Sequence, residues 1–272
     1  MTTLHYRFLF FYGLCFFAFT AAAQQSNLPV KFSTIPESYS GISFSNIIEE
    51  TPEMFLYKYE YLYIGAGVCI GDINNDGLPD IYFSSTRGYN KLYLNLGNLQ
   101  FRDITDAAGV NGGEGIKTGV TMVDINNDGY MDIMVNKSGF KDPNLRKKVL
   151  YINNKNLTFI NRAAAYGLDD ASFTIQSYFF DYDKDGDKDV FFANHLDDFS
   201  KSMTIPATMV NGKMVFVEDS TTQYVSDRLF ENRGGKFVDV TKKAGLITHS
   251  FSLSASMFDY NGDGWPDILC SQ

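Results

Sequence analysis

Cysteine, histidine and tryptophan are scarce, with three Cys, three His and one Trp in 272 residues. Cys15 sits in an apolar leader, and Cys69 and Cys270 fall beside acidic turns at non-equivalent places of a repeat. That excludes the disulfide framework that staples many secreted domains, so both remaining thiols read as small buried hydrophobes. His195 and His249 are left beyond the leader, in neither metal-site nor triad spacing. Each is read as a hydrogen-bonded structural residue. Glycine-rich phosphate loops and nucleic-acid motifs are also missing, so no nucleic-acid partner is expected. Past the leader, no apolar run approaches the roughly 20 residues a membrane span requires.

The leader has the form of a secretory signal peptide. Arg7 precedes an apolar run from Phe8 to about Thr20, and Ala21-Ala-Ala23 offers small residues for cleavage before Gln24. Tyr12-Gly-Leu14 ahead of Cys15 lacks the small residue that precedes a lipid-modified cysteine. Residues 1–23 are therefore read as a signal, and the mature protein as secreted or extracytoplasmic, in a periplasm or at a cell surface, with no transmembrane segment.

What the chain does have is acid in one arrangement. Asp72-Ile-Asn74-Asn-Asp76-Gly77-Leu78-Pro-Asp80 places oxygen-bearing side chains at positions 1, 3, 5 and 9, with Gly at 6. The pattern returns as Asp124-Ile-Asn126-Asn-Asp128-Gly129-Tyr130-Met-Asp132, as Asp181-Tyr-Asp183-Lys-Asp185-Gly186-Asp187-Lys-Asp189 and as Asp259-Tyr-Asn261-Gly-Asp263-Gly264-Trp265-Pro-Asp267. Calcium takes six to eight oxygens at roughly 2.3 to 2.6 Å, so a short loop must turn positions 1, 3 and 5 inward and then fold back. Glycine at 6 permits the reversal. The carbonyl at position 7 (Leu78, Tyr130, Asp187, Trp265) and the carboxylate at 9 then close the shell. A lone Asp/Asn/Gly cluster marks only a solvated turn, but four copies in one frame point to about four bound Ca2+ ions. The four loops hold fourteen of the 32 acidic residues, so the net charge of −9 is mostly metal site and folding should be coupled to metal.

These are not EF-hands. Position 12, where an EF-hand needs a bidentate Glu, is Phe83, Val135, Phe192 or Cys270. Strand-like runs flank each loop instead: Gly67-Val-Cys-Ile and Ile81-Tyr-Phe-Ser around the first, Ser177-Tyr-Phe-Phe and Val190-Phe-Phe-Ala around the third. Each loop thus joins two strands of a hairpin.

The repeat extends past the loop. Lys91-Leu-Tyr-Leu-Asn95, Val149-Leu-Tyr-Ile-Asn153 and Arg228-Leu-Phe-Glu-Asn232 come next, and then Phe101 to Gly109, Phe159 to Gly167 and Phe237 to Gly245, always eight residues apart. Each unit reads as strand, calcium loop, strand, strand, turn, strand, which is the content of a four-stranded antiparallel propeller blade. A solenoid of hairpins or a sandwich would accept the same strands, but acidic turns at one fixed junction favour radial repetition.

At these residues, over roughly 30–272, the chain resembles the FG-GAP or VCBS repeat family, the calcium-binding β-propellers of integrin α-subunit heads and of many exported bacterial proteins. Gly65-Ala-Gly-Val-Cys-Ile-Gly-Asp72 departs from the literal Phe-Gly and Gly-Ala-Pro signature and is more similar to the bacterial cartilage-acidic-protein-like group, whose members often continue into an ASPIC/UnbV domain. The resemblance implies a seven-bladed propeller with calcium at the loop positions named above. The fold expected is all-β, a partial, open propeller of about three and a half blades. Residues 24–46 are expected to supply a ring-closing strand, because Phe32-Ser-Thr-Ile35 and Gly41 imitate a fourth strand and exit turn. Residues 47–272 are expected to hold the repeats, truncated after the second strand of the fourth blade.

Function is expected on the face opposite the calcium loops. There Lys137 to Lys148 carries five basic residues, and the connection from His195 to Asp227 has a hairpin signal at Asn211-Gly212. The reading is an exported calcium-binding module for protein or glycan recognition and adhesion, without catalytic residues. The alternative is the propeller portion of a glycan-active enzyme such as a polysaccharide lyase.

Overall fold

The computed structural model describes residues 32–195, 207–217, 222–247 and 251–271; the expected signal peptide lies outside them. The chain divides into Met1–Ile35 and Pro36–Gln272, and the regular elements among the described residues all lie in the second unit. Twelve strands make three four-stranded antiparallel sheets, each in simple chain order. Blade one is β1 (Val68–Gly71), β2 (Asp80–Phe83), β3 (Lys91–Asn95) and β4 (Phe101–Asp103); blade two is β5 (Ile116–Val123), β6 (Asp132–Ser138), β7 (Val149–Asn153) and β8 (Phe159–Asn161). Blade three is β9 (Thr174–Phe180), β10 (Asp189–Asn194), β13 (Arg228–Asn232) and β14 (Phe237–Asp239). The insertion in blade three forms its own hairpin, β11 (Ala207–Val210) and β12 (Lys213–Phe216), and β15 (Ser254–Phe258) pairs with β16 (Asp267–Ser271) as a two-stranded sheet.

The hairpin turn is the Asn211-Gly212 expected from the sequence, both residues at positive φ, 52° and 76°, as a type I′ turn demands. In all four acidic hairpins the residue before position 1 pairs with position 9: Gly71 with Asp80, Val123 with Asp132, Phe180 with Asp189 and Phe258 with Asp267. Identical register comes from identical loop length.

Successive blades pack face to face, and strand alternation decides which neighbour each side chain meets. Ile133 and Val135 of β6 join Tyr82 and Leu92 of blade one, while Met134 between them joins Val190, Phe192 and Phe230 of blade three. Hence β6 and β10 are buried along their whole length, and their apolar runs are continuous rather than alternating. The outer blades have only one neighbour. Val68 and Ile70 of β1 are 56% and 64% exposed, and Leu269 of β16 is 61% exposed, so the array is open at both sides. This agrees with the all-β, partial open propeller.

Among the described residues, five one-turn α-helices punctuate the chain: α1 (Glu37–Ser40), α2 (Thr105–Ala108), α3 (Pro143–Arg146), α4 (Ala163–Tyr166) and α5 (Thr222–Val225). Helices α1, α2 and α4 end on Gly41, Gly109 and Gly167 in the left-handed region. A Cβ on Gly41 would stand 2.5 Å from the Phe101 carbonyl oxygen, and one on Gly167 2.8 Å from that of Phe237. The exit turns of blades one and two therefore seat against the fourth strand of the next blade, and α1 takes that place ahead of blade one.

The strand expected before α1 is not formed: residues 32–36 have no regular structure, and no strand occurs over 32–46. The segment after α1 covers blade one differently. Phe44 stacks on Phe83 at 4.8 Å, the Ser43 amide donates to the Tyr93 hydroxyl at 3.2 Å, and Met54, Tyr59 and Leu62 pack with Ile116.

Candidate metal centres

Each acidic loop is held by the same hydrogen bonds, made by the same positions. The position-1 carboxylate accepts the amides of positions 5 and 6. Asp72 takes Asp76 N at 3.2 Å and Gly77 N at 2.7 Å; Asp124, Asp181 and Asp259 do likewise in their loops. The position-5 carboxylate accepts the position-7 amide, at 2.8 Å for Asp76 and Leu78, 3.0 Å for Asp128 and Tyr130, 2.9 Å for Asp185 and Asp187, and 2.8 Å for Asp263 and Trp265. Glycine at 6 has φ of 83°, 86°, 95° and 86°. At Gly77, Gly129 and Gly186 nothing lies within 4 Å of a would-be Cβ, so backbone conformation alone explains the residue there.

The position-9 aspartates hold each hairpin together from inside. Asp80 is fully buried and accepts Ile73 N at 2.9 Å on one oxygen and Asn95 N at 2.7 Å on the other. Asp132 takes Ile125 N and Asn153 N, and Asp189 takes Tyr182 N and Asn232 N; Asp267 accepts Tyr260 N. One carboxylate thus ties the loop to the end of the third strand. The strand-ending asparagines are the residues sequence reasoning passed over. They reach back too, Asn95 to the Pro79 carbonyl and Asn153 to those of Ile73 and Met131, and their recurrence at the end of each third strand was the available signal.

The third loop collects acid most tightly. A carboxylate oxygen from each of Asp181, Asp183 and Asp189 lies within 4.8 Å of the others. Asp183 Oδ1 is buried and has no hydrogen-bond partner. In the other loops position 3 is Asn, and Asn74, Asn126 and Asn261 donate their amides to the position-5 carboxylates at 2.9, 3.1 and 2.9 Å; Asp183 has no such proton to give. A buried, unmatched carboxylate oxygen facing two more carboxylates is a donor set for a hard cation, so the residues fit calcium. Burial, and then the charges of loop partners, push Asp132 and Asp189 up to about 6 and raise Asp80 and Asp183. Mutual repulsion of this kind is what a divalent ion relieves.

Position 4 also matters. Asn75, Asn127 and Lys184 occupy the left-handed region, with φ of 59°, 56° and 60°, and each reaches the next blade's loop: Asn75 to the Gly129 carbonyl, Asn127 to Asp187 and Lys184 to the Gly264 carbonyl.

Asp103 and Asp239 cap the exit turns by accepting Thr105 N and Thr241 N. His195 is fully buried, with Nε2 2.7 Å from Ser138 Oγ and its ring 4.2 Å from Tyr61. Cys69 and Cys270 are free and half-buried. The basic segment expected to meet a ligand is largely structural. Arg146 is buried, donates to the carbonyls of Ala171, Phe140 and Lys141 and stacks on Phe173 at 4.0 Å. Lys148 is buried against Asp170, Lys147 pairs with Asp169 at 3.2 Å, and Lys137 is buried. No helix among the described residues is long and apolar enough to cross a membrane.

The FG-GAP-like repeat family matches residues 72–135 and 214–270, which takes in the first, second and fourth acidic loops whole and leaves out the third. Cartilage acidic protein 1 of Xenopus tropicalis is 35% identical over 82 residues, covering 30% of this chain and 12% of that protein. Cartilage acidic protein 1 of Mus musculus is 37% identical over 70 residues, covering 26% and 11%. The matched region is therefore about a tenth of the length of these curated relatives. Repeat match, relatives and blade architecture together support an FG-GAP-like repeat module of propeller type.

Proposed function

We propose that this chain is a calcium-stabilised propeller module of an exported protein, acting by binding a protein or glycan rather than by catalysis, within the bacterial cartilage-acidic-protein-like group. The observation that carries the metal reading is the convergence of Asp181, Asp183 and Asp189 around an unmatched buried oxygen. Each of the other three loops repeats its hydrogen bonds, so each holds one ion by the same positions. When bound, calcium supplies cross-linking charge between adjacent strands; the chain's own residues pre-form the loop and hold its carboxylates close. Export rests on Arg7, the Phe8–Thr20 run and Ala21–Ala23. Adhesion or recognition rests on the repeat family.

Native mass spectrometry of the chain dialysed against calcium tests this reading. Four bound ions are expected, and Asp76→Ala should hold three. A metal-free spectrum at millimolar calcium, the range of extracellular modules, would overturn it.

A further inference from the structure

Lys117 and Lys137 are direct partners across the β5–β6 ladder, so two ammonium groups leave one face of the sheet side by side. Like charges directly opposite are unfavourable even at a surface, and these side chains are 1% and 6% exposed. Lys117 Nζ donates to the Gly113 carbonyl at 3.1 Å and Lys137 Nζ to the Glu114 carbonyl at 2.6 Å. Those are one bond each for groups with three protons. Among the described residues no carboxylate forms an ion pair with either. Glu114 accepts Lys137 Nζ at its backbone oxygen, and its carboxylate attracts that ammonium electrostatically without forming an ion pair. A third cation, Arg87, adds to the repulsion and rests over the Phe140 ring at 5.8 Å. Burial first, and then Lys137 and Arg87, lower the Lys117 ammonium to about 8.

Buried charges in proteins are paired or neutralised, and the other buried lysine, Lys148, obeys that rule with Asp170 at 2.8 Å. The Lys117–Lys137 pair does not. It sits at the end of β5 and β6 away from the acidic loops, beneath the turn Gly112-Gly113-Glu114-Gly115, three of whose residues have positive φ. Gly113 and Glu114 are exposed, so the ammonium groups lie one layer below solvent.

We propose that Lys117, Lys137 and Arg87 form a binding site for an oxyanion group, a carboxylate or a sulfate, on the loop face opposite the acidic loops. The bound group accepts the unused ammonium protons and separates the two like charges. The site uses none of the loop carboxylates, so it is independent of calcium, and it gives the recognition reading a location and a ligand chemistry.

The test is calorimetric and NMR titration of the calcium-loaded chain with sodium sulfate and, separately, sodium glucuronate, against sodium chloride at equal ionic strength. Saturable one-to-one binding of either probe, with shifts at the amides of residues 112–117, is expected; which probe binds tells sulfate from carboxylate. Lys117→Met with Lys137→Met should weaken it at least tenfold while leaving calcium stoichiometry unchanged. Lys137→Gln alone, at the more exposed position, should weaken it less and serves if the double variant does not fold. No saturable binding by the unaltered chain, or binding retained by the variants, overturns the proposal. Loss of calcium stoichiometry in the unaltered chain would strike the metal reading and not this one.

Discussion

The side-chain amide of Asn75 donates to the carbonyl oxygen of Gly129 across 2.9 Å, from the first acidic loop into the second. The tie repeats around the array, Asn127 to Asp187 Oδ1 at 3.4 Å and Lys184 to the Gly264 carbonyl, with the Lys184 ammonium also 4.8 Å from the Trp265 ring. Successive loops are thus linked by one side chain each, always from position 4, and always from a residue held at positive φ. Backbone shape and inter-blade contact are two separate demands on that position, and substitutions can separate them.

Asn75→Gly removes the tie and keeps the left-handed backbone; Asn75→Ala removes the tie and adds strain of about 1 kcal/mol. A solvent-exposed hydrogen bond contributes about 0.5–1 kcal/mol, and glycine adds a similar entropic cost. Urea unfolding should therefore place Ala at or below Gly in stability, with both below Asn. An Ala variant as stable as the unaltered chain would mean that the tie is idle.

Asp132 and Asp76 occupy one repeat frame but do different work. Asp132→Ala leaves the buried amides of Ile125 and Asn153 without acceptors, at about 1–3 kcal/mol each, so it should destabilise the chain even in chelator, and further in calcium, where a proposed ligand is lost as well. Asp76 is exposed, and Asp76→Ala should matter chiefly when calcium is present. Thermal unfolding of both variants, with and without chelator, checks the division.

The pH dependence is set by the two carboxyls pushed up to about 6, Asp132 and Asp189. A folded-state value above the unfolded one, near 4, means the folded chain holds the proton more tightly. Their contribution is then fully present below about pH 4 and is lost as pH rises through about 6. Metal ligation needs the deprotonated form, so an ion bound as proposed would offset that loss. On the proposed calcium reading, the stabilisation gained on adding calcium should accordingly grow between pH 5 and 7. A calcium-induced Tm shift that stays flat across that interval would contradict the assignment.

The loops and their strands were legible because their information is local: spacing inside nine residues fixes both turn and register, and the Phe–Gly interval of eight marks each exit turn. What the sequence hid depends on depth and on neighbours. Lys137, Arg146 and Lys148 look like a solvated basic loop in one dimension, yet their stems and heads lie beneath neighbouring turns. Phe32–Ile35 copies a fourth strand in composition, but a strand requires a partner edge, which composition does not specify. Met54, Tyr59 and Leu62 have no period to mark them, since a non-repetitive segment packs wherever Ile116 leaves room. Position 4 escaped because its partner belongs to another blade.

The pair formed by Lys148 and Asp170 makes the most demanding stability prediction. Nζ and Oδ1 are 2.8 Å apart, the side chains 0% and 13% exposed, and the ammonium lies 4.7 Å from the Phe192 ring. Burial alone would raise the Asp170 carboxyl, but Lys148 outweighs it and holds it at about 2. Because that value lies below the unfolded one, the stabilisation is present above about pH 4 and is lost as pH falls toward 2. Asp170→Ala strands a buried ammonium and should cost about 3–5 kcal/mol. Adding Lys148→Met removes the stranded charge and should recover most of that loss, since an apolar side chain beside Phe192 needs no partner. Urea unfolding of the two single variants and the double variant at pH 7 completes the cycle, and a double variant no more stable than Asp170→Ala would show that the pair's charge is not what holds this corner of blade two.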